Sequence, residues 1–251
     1  MKALVLAAGL GERLRPLTNV TPKPLLEVGG RPLIHCVLGL LQRSGIDHVA
    51  INVHHLADRI ESALGDGRAL GLKITYSPEP VLLGTGAPMV VLREFFDGET
   101  FVVANSDTIL DLDLKSMIKL HRERGAPVTI ALYRPSNLEQ YSRIEIDQQA
   151  RIRRMRIISG GRLVDYPDKI EATLEPYMYC GVFICEPSVY HYMPAKAPFS
   201  SMGDVFAPMV ARGLPLMGYV HRGLFRTVDD LESLRALRAE IAANPGLFDS
   251  T

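Results

Sequence analysis

An apolar run from Ala3 to Ala8 stops abruptly at Gly9-Leu10-Gly11, and the cationic side chains of Arg13, Arg15 and Lys23 then recur through a stretch studded with Pro16, Pro22 and Pro24. A short continuous apolar run bounded by a turn signal reads as a buried strand. Two glycines directly after it let the chain turn tightly and bring N–H groups close to an anion, because neither has a Cβ to block the approach. Arg13 offers a planar fork to phosphate oxygens, and Lys23 offers a compact charge on a flexible stem. Pro22 and Pro24 restrain the backbone on either side of Lys23. The pattern is not the dinucleotide fingerprint. No third small residue follows at the required spacing, and His54-His55 stands where an acid after the second strand would hold a ribose. Nor is it a P-loop, since no Gly-Lys-Ser/Thr follows.

With 251 residues and 47% hydrophobic content, the chain has enough apolar material for one large domain. Its 28 basic and 28 acidic side chains cancel. A surface for nucleic acid or anionic membrane would show as a basic excess, so phosphate recognition is expected to be local, with neither of those partners. Cys36, Cys180 and Cys185 have no metal-ligand spacing, and the last two lie in or beside an apolar run, so buried thiols in a reducing cytoplasm are expected. Met1-Lys2 leads straight into the first strand without a signal-peptide pattern, and no apolar run approaches bilayer length.

Apolar residues at Leu33, Val37, Leu40 and Leu41 have helical spacing, Ile46 to Val53 reads as a strand, a helix runs from about Leu56 to Leu64, and a strand follows from Leu72 to Tyr76. Such alternation implies an α/β fold with a mostly parallel central sheet and helices on both faces. A helix is expected from about Thr85, with Pro88 in its first turn. Thr100 to Ala104 reads as a central strand ending in Asn105-Ser106-Asp107-Thr108. Ligands collect at the carboxyl ends of strands in open parallel sheets, which places Asp107 near the first loop. A carboxylate facing a bound phosphate requires a divalent cation between them, and magnesium (Mg2+) is the oxygen-loving choice. Further on, Pro127 to Leu132 reads as a strand, and the alternation over Tyr141 to Asp147 and Ala150 to Ile158 suggests a small antiparallel β-hairpin region. The four arginines between Arg151 and Arg156 read most simply as a solvated strand face. Gly181 interrupts the strand Tyr177 to Ile184, as happens where something approaches the backbone closely. Leu231, Leu234, Leu237 and Ile241 form one stripe of a last helix, which Asp229 or Asp230 is placed to cap.

From Leu6 to Ile34 the chain reads LAAGLGERLRPLT, then TPKPLLEVGGRPLI, and this stretch resembles the signature of the sugar-1-phosphate nucleotidylyltransferases, or nucleoside-diphosphate-sugar pyrophosphorylases. The resemblance implies a single Rossmann-like (GT-A-like) nucleotidyltransferase domain over 1–251, with a nucleotide-binding half (1–135), a sugar-phosphate-binding half (136–230) and a C-terminal helix and tail (231–251). It implies transfer of a nucleoside monophosphate from a nucleoside triphosphate to a sugar 1-phosphate. Arg13, Lys23 and Asp107 would then be catalytic. Leu6, Ala7, Ala8, Gly9, Gly11, Arg13, Glu79, Gly84 and Thr85 would touch the nucleotide, and Gly181 and Lys23 the sugar phosphate. Asp107 would hold magnesium.

Where the family writes Trp-x-Asp-Val-Gly-Thr, Thr227 takes the place of the second metal-binding Asp, and Asp229, two residues on, becomes the second expected ligand. Glu79, when ionised, accepts hydrogen bonds and so suits the N–H edge of guanine. Leu83-Gly84-Thr85-Gly86 looks closest to guanylyltransferases acting on mannose- or heptose-type 1-phosphates, with uridylyl and cytidylyl transfer as alternatives. The family's Glu-Lys pair after the hairpin is absent, since Arg153-Arg154-Met155-Arg156 stands there. Its absence and Thr227 are the best support for a rival reading, a non-catalytic nucleotide-sugar-binding regulatory subunit, against which intact Arg13, Lys23 and Asp107 argue. A homo-oligomer is compatible with the pattern, which does not specify one.

Overall fold

The computed structural model describes residues 1–167, 173–244 and 246. In chain order its elements are β1 (Lys2–Leu6), β2 (Glu27–Val28), β3 (Arg31–Pro32), α1 (Leu33–Arg43), β4 (His48–Val53), α2 (Ala57–Leu64) and β5 (Lys73–Pro78). There follow α3 (Ala87–Val91), α4 (Arg93–Phe96), β6 (Phe101–Asn105), β7 (Thr108–Leu110), α5 (Leu114–Arg124), β8 (Val128–Tyr133), β9 (Arg143–Ile146) and β10 (Ile152–Ser159). The chain closes with β11 (Arg162–Tyr166), β12 (Glu175–Cys185), α6 (Ala207–Ala211), β13 (Met217–Val220), β14 (Phe225–Thr227) and α7 (Leu231–Ala243).

These elements form two compact units that interleave along the chain. Met1–Leu82, Val103–Leu114 and Gly223–Thr251 contribute to the first, and Leu83–Val102 and Lys115–Arg222 make the second. The C-terminal segment returns to the first unit, where β14 pairs antiparallel with β7 and α7 buries its apolar stripe.

In the first unit the sheet order is β6-β1-β4-β5, with β1 parallel to β4 and β4 parallel to β5. Ala3, Leu4 and Val5 of β1 and Val49, Ala50, Ile51 and Val53 of β4 are fully enclosed, as expected of parallel strands covered on both faces. Between β1 and β2 the chain makes three short 3-10 turns, Glu12–Leu14, Leu17–Asn19 and Lys23–Leu25. Leu14 and Leu26 from this stretch share one apolar cluster with Leu33, Cys36, Ile109 and Val228 and with Leu234, Leu237 and Ile241 of α7. Asp230 caps α7: its carboxylate accepts the Ser233 N–H at 2.8 Å, and the Ser233 hydroxyl oxygen accepts the Asp230 N–H at 2.9 Å. Those bonds from Ser233 hold the Asp230 carboxyl below its ordinary range. Arg226 of β14 donates from Nε to Glu240 of α7 at 2.8 Å, and this bond lowers the Glu240 carboxyl in turn.

In the second unit β9, β10 and β11 form an antiparallel run, β12 lies antiparallel to both β9 and β8, and β13 is parallel to β8. The expected hairpin is β9–β10, and β11 extends it. Arg151 and Arg153 are exposed, as a solvated face requires, whereas Arg154 and Arg156 are half-buried. Arg154 donates to Glu145 on β9 at 2.7 Å and Arg156 donates to Asp165 on β11 at 2.8 Å, each across the strand register. Opposite charges on facing positions stabilise a sheet, and the solvated-face reading overlooked the acids that the topology supplies. Gly181 has φ +90° where the β12–β8 register shifts between Tyr179 and Phe183, a bulge conformation suited to glycine. Helix α3 starts at Ala87, two residues later than expected, with Pro88 in its first turn. All three cysteines are free and buried, and burial pushes the Cys180 and Cys185 thiols up. No helix among the described residues is long and apolar enough to cross a membrane.

Because Leu237 lies in the cluster shared by α7 and the loop after β1, Leu237→Ala is expected to lower unfolding free energy by about 2–5 kcal/mol in chemical denaturation. The exposed neighbour Arg235 provides the control, with Arg235→Ala expected to cost less than about 0.5 kcal/mol. Equal losses in the two variants would rule out this packing.

Candidate active site

The carboxyl end of β1 is fastened before the chain turns. The Ala7 N–H donates to Asn52 Oδ1 at 2.8 Å, and Asn52 Nδ2 donates to Glu79 Oε1 at 2.7 Å, so β4 and the residue after β5 both hold it. At Gly11 the backbone enters the left-handed region with φ +63°, and a Cβ there would lie 2.8 Å from Thr18 Cγ2. Thr18 is itself fixed, its hydroxyl donating to the Gly11 carbonyl at 2.8 Å. Gly9 differs: a Cβ at that position would meet nothing within 4 Å. Gly11 thus serves the shape of the loop, while Gly9 leaves its backbone uncovered.

A cavity of about 550 Å³ opens over this loop, wholly within the first unit, a volume typical of small-molecule sites. Leu6, Ala7, Gly9, Gly11, Arg13, Lys23, Asp107 and Asp229 all line it. Asp107 sits in the turn after β6, and the Ser106 N–H donates to the Leu6 carbonyl at 3.2 Å, holding that turn beside the end of β1. Lys23, on the third 3-10 turn, forms an ion pair with Asp107, and their side chains are only 15% and 22% exposed. Arg13 reaches Asp229 at 3.2 Å and is far more open, at 69%. The shielded pair is the stronger of the two, because less water screens it. Asp230 performs the helix cap, so the carboxylate of Asp229 faces the cavity instead.

Several expected contacts lie elsewhere. Ala8 and Glu79 are not on the cavity wall, and Glu79 is only 4% exposed, with one carboxylate oxygen taken by Asn52. Gly84, Thr85 and Gly181 belong to the second unit. Gly84, at φ +81°, packs so that a Cβ would lie 2.5 Å from the Phe199 carbonyl oxygen, and the Thr85 hydroxyl accepts the Ser201 N–H at 3.0 Å. Phe199 and Ser201 therefore account for the conformation of that segment. Among the wall residues not anticipated are Glu12, Pro24, Leu82 and Ser106. Asn52 was also missed, although a lone amide in the apolar strand β4 must find partners once buried, which is a legible signal.

Among the described residues no group of three or more His, Cys, Asp or Glu side chains gathers to hold an ion. The carboxylate residues that line the cavity are Glu12, Asp107 and Asp229. That donor set fits magnesium, which is usually bound through one or two carboxylates together with substrate phosphates rather than in an all-protein cage.

A glycine turn after a parallel strand, two cations and two facing carboxylates thus share one cavity of an α/β protein. Residues 2–242 match the Nucleotidyl transferase family, and the chain belongs to it. It is 35% identical over 230 residues to a UTP–glucose-1-phosphate uridylyltransferase of Synechocystis sp., covering 86% of this chain and 56% of the relative. It is 30% identical over 250 residues to a mannose-1-phosphate guanylyltransferase of Mycobacterium tuberculosis, covering 98% and 67%. Over 114 residues it is 48% identical to an N-acetylmuramate alpha-1-phosphate uridylyltransferase of Neisseria meningitidis, covering 45% and 49%. The chain thus spans about half to two-thirds of the length of these relatives. The fold, a mixed and mostly parallel central sheet with helices and small antiparallel sheets, is shared with HddC from Yersinia pseudotuberculosis complexed with GMP-PN. That match has a TM-score of 0.75 and 18% identity, over 96% of this chain and 99% of that one.

The two glycines are expected to separate in mutation. Gly11→Ala, strained at its positive φ and crowded by Thr18, should lower stability by more than about 1 kcal/mol. Gly9→Ala should change stability by less than about 0.5 kcal/mol, yet weaken nucleotide binding by placing a methyl group in the cavity. Thermal melts with and without nucleoside triphosphate read both effects.

Proposed function

We propose that this protein transfers a nucleoside monophosphate from a nucleoside triphosphate to a sugar 1-phosphate, with magnesium, in the cytoplasm. The observation that carries this reading is the single cavity in which Arg13 and Lys23 each face a carboxylate beside the glycine turn. A phosphate oxygen of the sugar 1-phosphate attacks the α-phosphorus. The new P–O bond forms as the bond to the bridging oxygen of the β-phosphate breaks, and its electron pair leaves with pyrophosphate. The attacking oxygen is already ionised at neutral pH, so no general base is needed.

The work left to the protein is to bring two anions together and to stabilise the charge that builds up as they react. Arg13 and the backbone around Gly9 and Gly11 grip the departing pyrophosphate, and Lys23 steadies the attacking phosphate and the α-oxygen. Arg13 and Lys23 are paired with Asp229 and Asp107; with both cations turned to phosphate, those two carboxylates would hold magnesium, which would supply polarisation of the α-phosphate and screening of its charge.

Guanylyl transfer to a mannose- or heptose-type 1-phosphate is the specific form proposed. Its support is the Leu83-Gly84-Thr85-Gly86 segment and the guanylyltransferase relative matched over nearly the whole chain. Uridylyl transfer is the second reading. Glu79, the residue expected to favour guanine, is buried against Asn52, and two relatives are named uridylyltransferases.

A matrix of four nucleoside triphosphates against a panel of sugar 1-phosphates, read by pyrophosphate release, tests both levels. Lys23→Ala should lower turnover at least about tenfold, since a lost charge-assisted contact is worth roughly 1.5–3 kcal/mol. Asp107→Ala should abolish the magnesium-dependent release. Absence of pyrophosphate from every combination would favour the non-catalytic regulatory reading.

A further inference from the structure

The pair His54-His55, which occupies the place of the ribose-binding acid in dinucleotide folds, plays no part in the chemistry above. In the structure the pair follows directly on β4. His55 Nε2 lies 2.7 Å from the Thr18 carbonyl oxygen. A carbonyl only accepts, so His55 carries its proton on Nε2 and donates. Thr18, 1% exposed, passes the restraint on through its hydroxyl to the Gly11 carbonyl at 2.8 Å. The Gly11 carbonyl also accepts the Leu14 N–H at 2.9 Å, so two donors fix its direction. In a planar trans peptide the following N–H points the opposite way, so holding the Gly11 oxygen also aims the Glu12 N–H. Glu12 lines the cavity.

Two further observations mark this as a built device. The same strand end holds the other side of the loop, through Asn52 and the Ala7 N–H. Immediately after His55, Leu56 adopts φ +53° and ψ +40°, a conformation that a bulky residue takes only where its surroundings dictate it. That turn carries the chain from β4 into α2 and leaves His55 against Thr18. His54 is engaged separately, its Nδ1 2.7 Å from the Glu79 carbonyl oxygen.

We infer that His55 is a positioning residue for the triphosphate, acting through Thr18 to set the Gly11 turn. The inference rests on the proposed nucleotidyl transfer for its substrate, though not for its geometry. The device is a brace that needs only the donor on Nε2.

The test uses His55→Ala, His55→Gln, Thr18→Val and the His55→Ala/Thr18→Val double variant. His55→Ala is expected to raise KM for the triphosphate about tenfold while KM for the sugar 1-phosphate stays within about twofold. His55→Gln, whose amide can still donate, should recover much of the loss. Thr18→Val should reproduce it, and the double variant should be no worse than either single one, because the two bonds act in series. Hydrogen exchange without nucleotide gives a readout independent of activity: amides 9–14 should exchange faster in His55→Ala and Thr18→Val than in wild type, with α7 unchanged. Equal rises in both KM values, or unaltered exchange over 9–14, would overturn the inference. Should His55→Ala not fold, Thr18→Val, which keeps the side-chain shape, decides. A wild-type protein that releases no pyrophosphate would defeat the proposed reaction and leave the exchange measurement to judge His55.

Discussion

The cavity depends on an apolar contact that touches none of its chemistry. Leu14 and Leu26 belong to the loop that carries Arg13 and Lys23, while Leu234, Leu237 and Ile241 belong to the helix that follows Asp229, and all five lie in one buried cluster. Burying such side chains contributes roughly 1.5–3 kcal/mol each, more than an exposed ion pair can supply. Hydrophobic burial therefore brings Asp229 to Arg13, and the 3.2 Å contact between them is a result of that packing.

Charge within the cavity is arranged in two opposed pairs of unequal shielding. The Lys23–Asp107 pair is mostly enclosed, whereas Arg13 extends into solvent. An anion arriving from solution meets the guanidinium first, with its flat array of donors, and the ammonium deeper in. Since each cation already has an acid beside it, the protein keeps two like charges in a small space without leaving either unbalanced.

Much of the first unit was legible because its signals are local. An apolar run ending in Gly9 and Gly11 marks a strand and a turn, and the stripe Leu234, Leu237, Ile241 marks a helix, whatever else the chain does. Asp107 was placed by the rule that strand ends carry ligands, and it lies on the cavity wall. The sequence put Asp229 forward as a ligand but left either acid able to cap the helix; in the structure the Asp230 carboxylate takes the cap and that of Asp229 meets Arg13. Long-range partners were not legible. Nothing in Gly84-Thr85-Gly86 announces Phe199 and Ser201, more than a hundred residues away, and nothing in Arg154 or Arg156 announces the acids on neighbouring strands. Pairing of β14 with β7 is likewise a property of topology and leaves no local trace.

The interleaving of the first unit bears on how the protein comes into being. A ribosome delivers Leu14 and Leu26 early, yet the side chains that cover them emerge some two hundred residues afterwards. Contacts so distant in sequence form late and slowly. The growing polypeptide therefore has Arg13 and Lys23 long before it has Asp229, and the cavity is complete only once translation has passed α7.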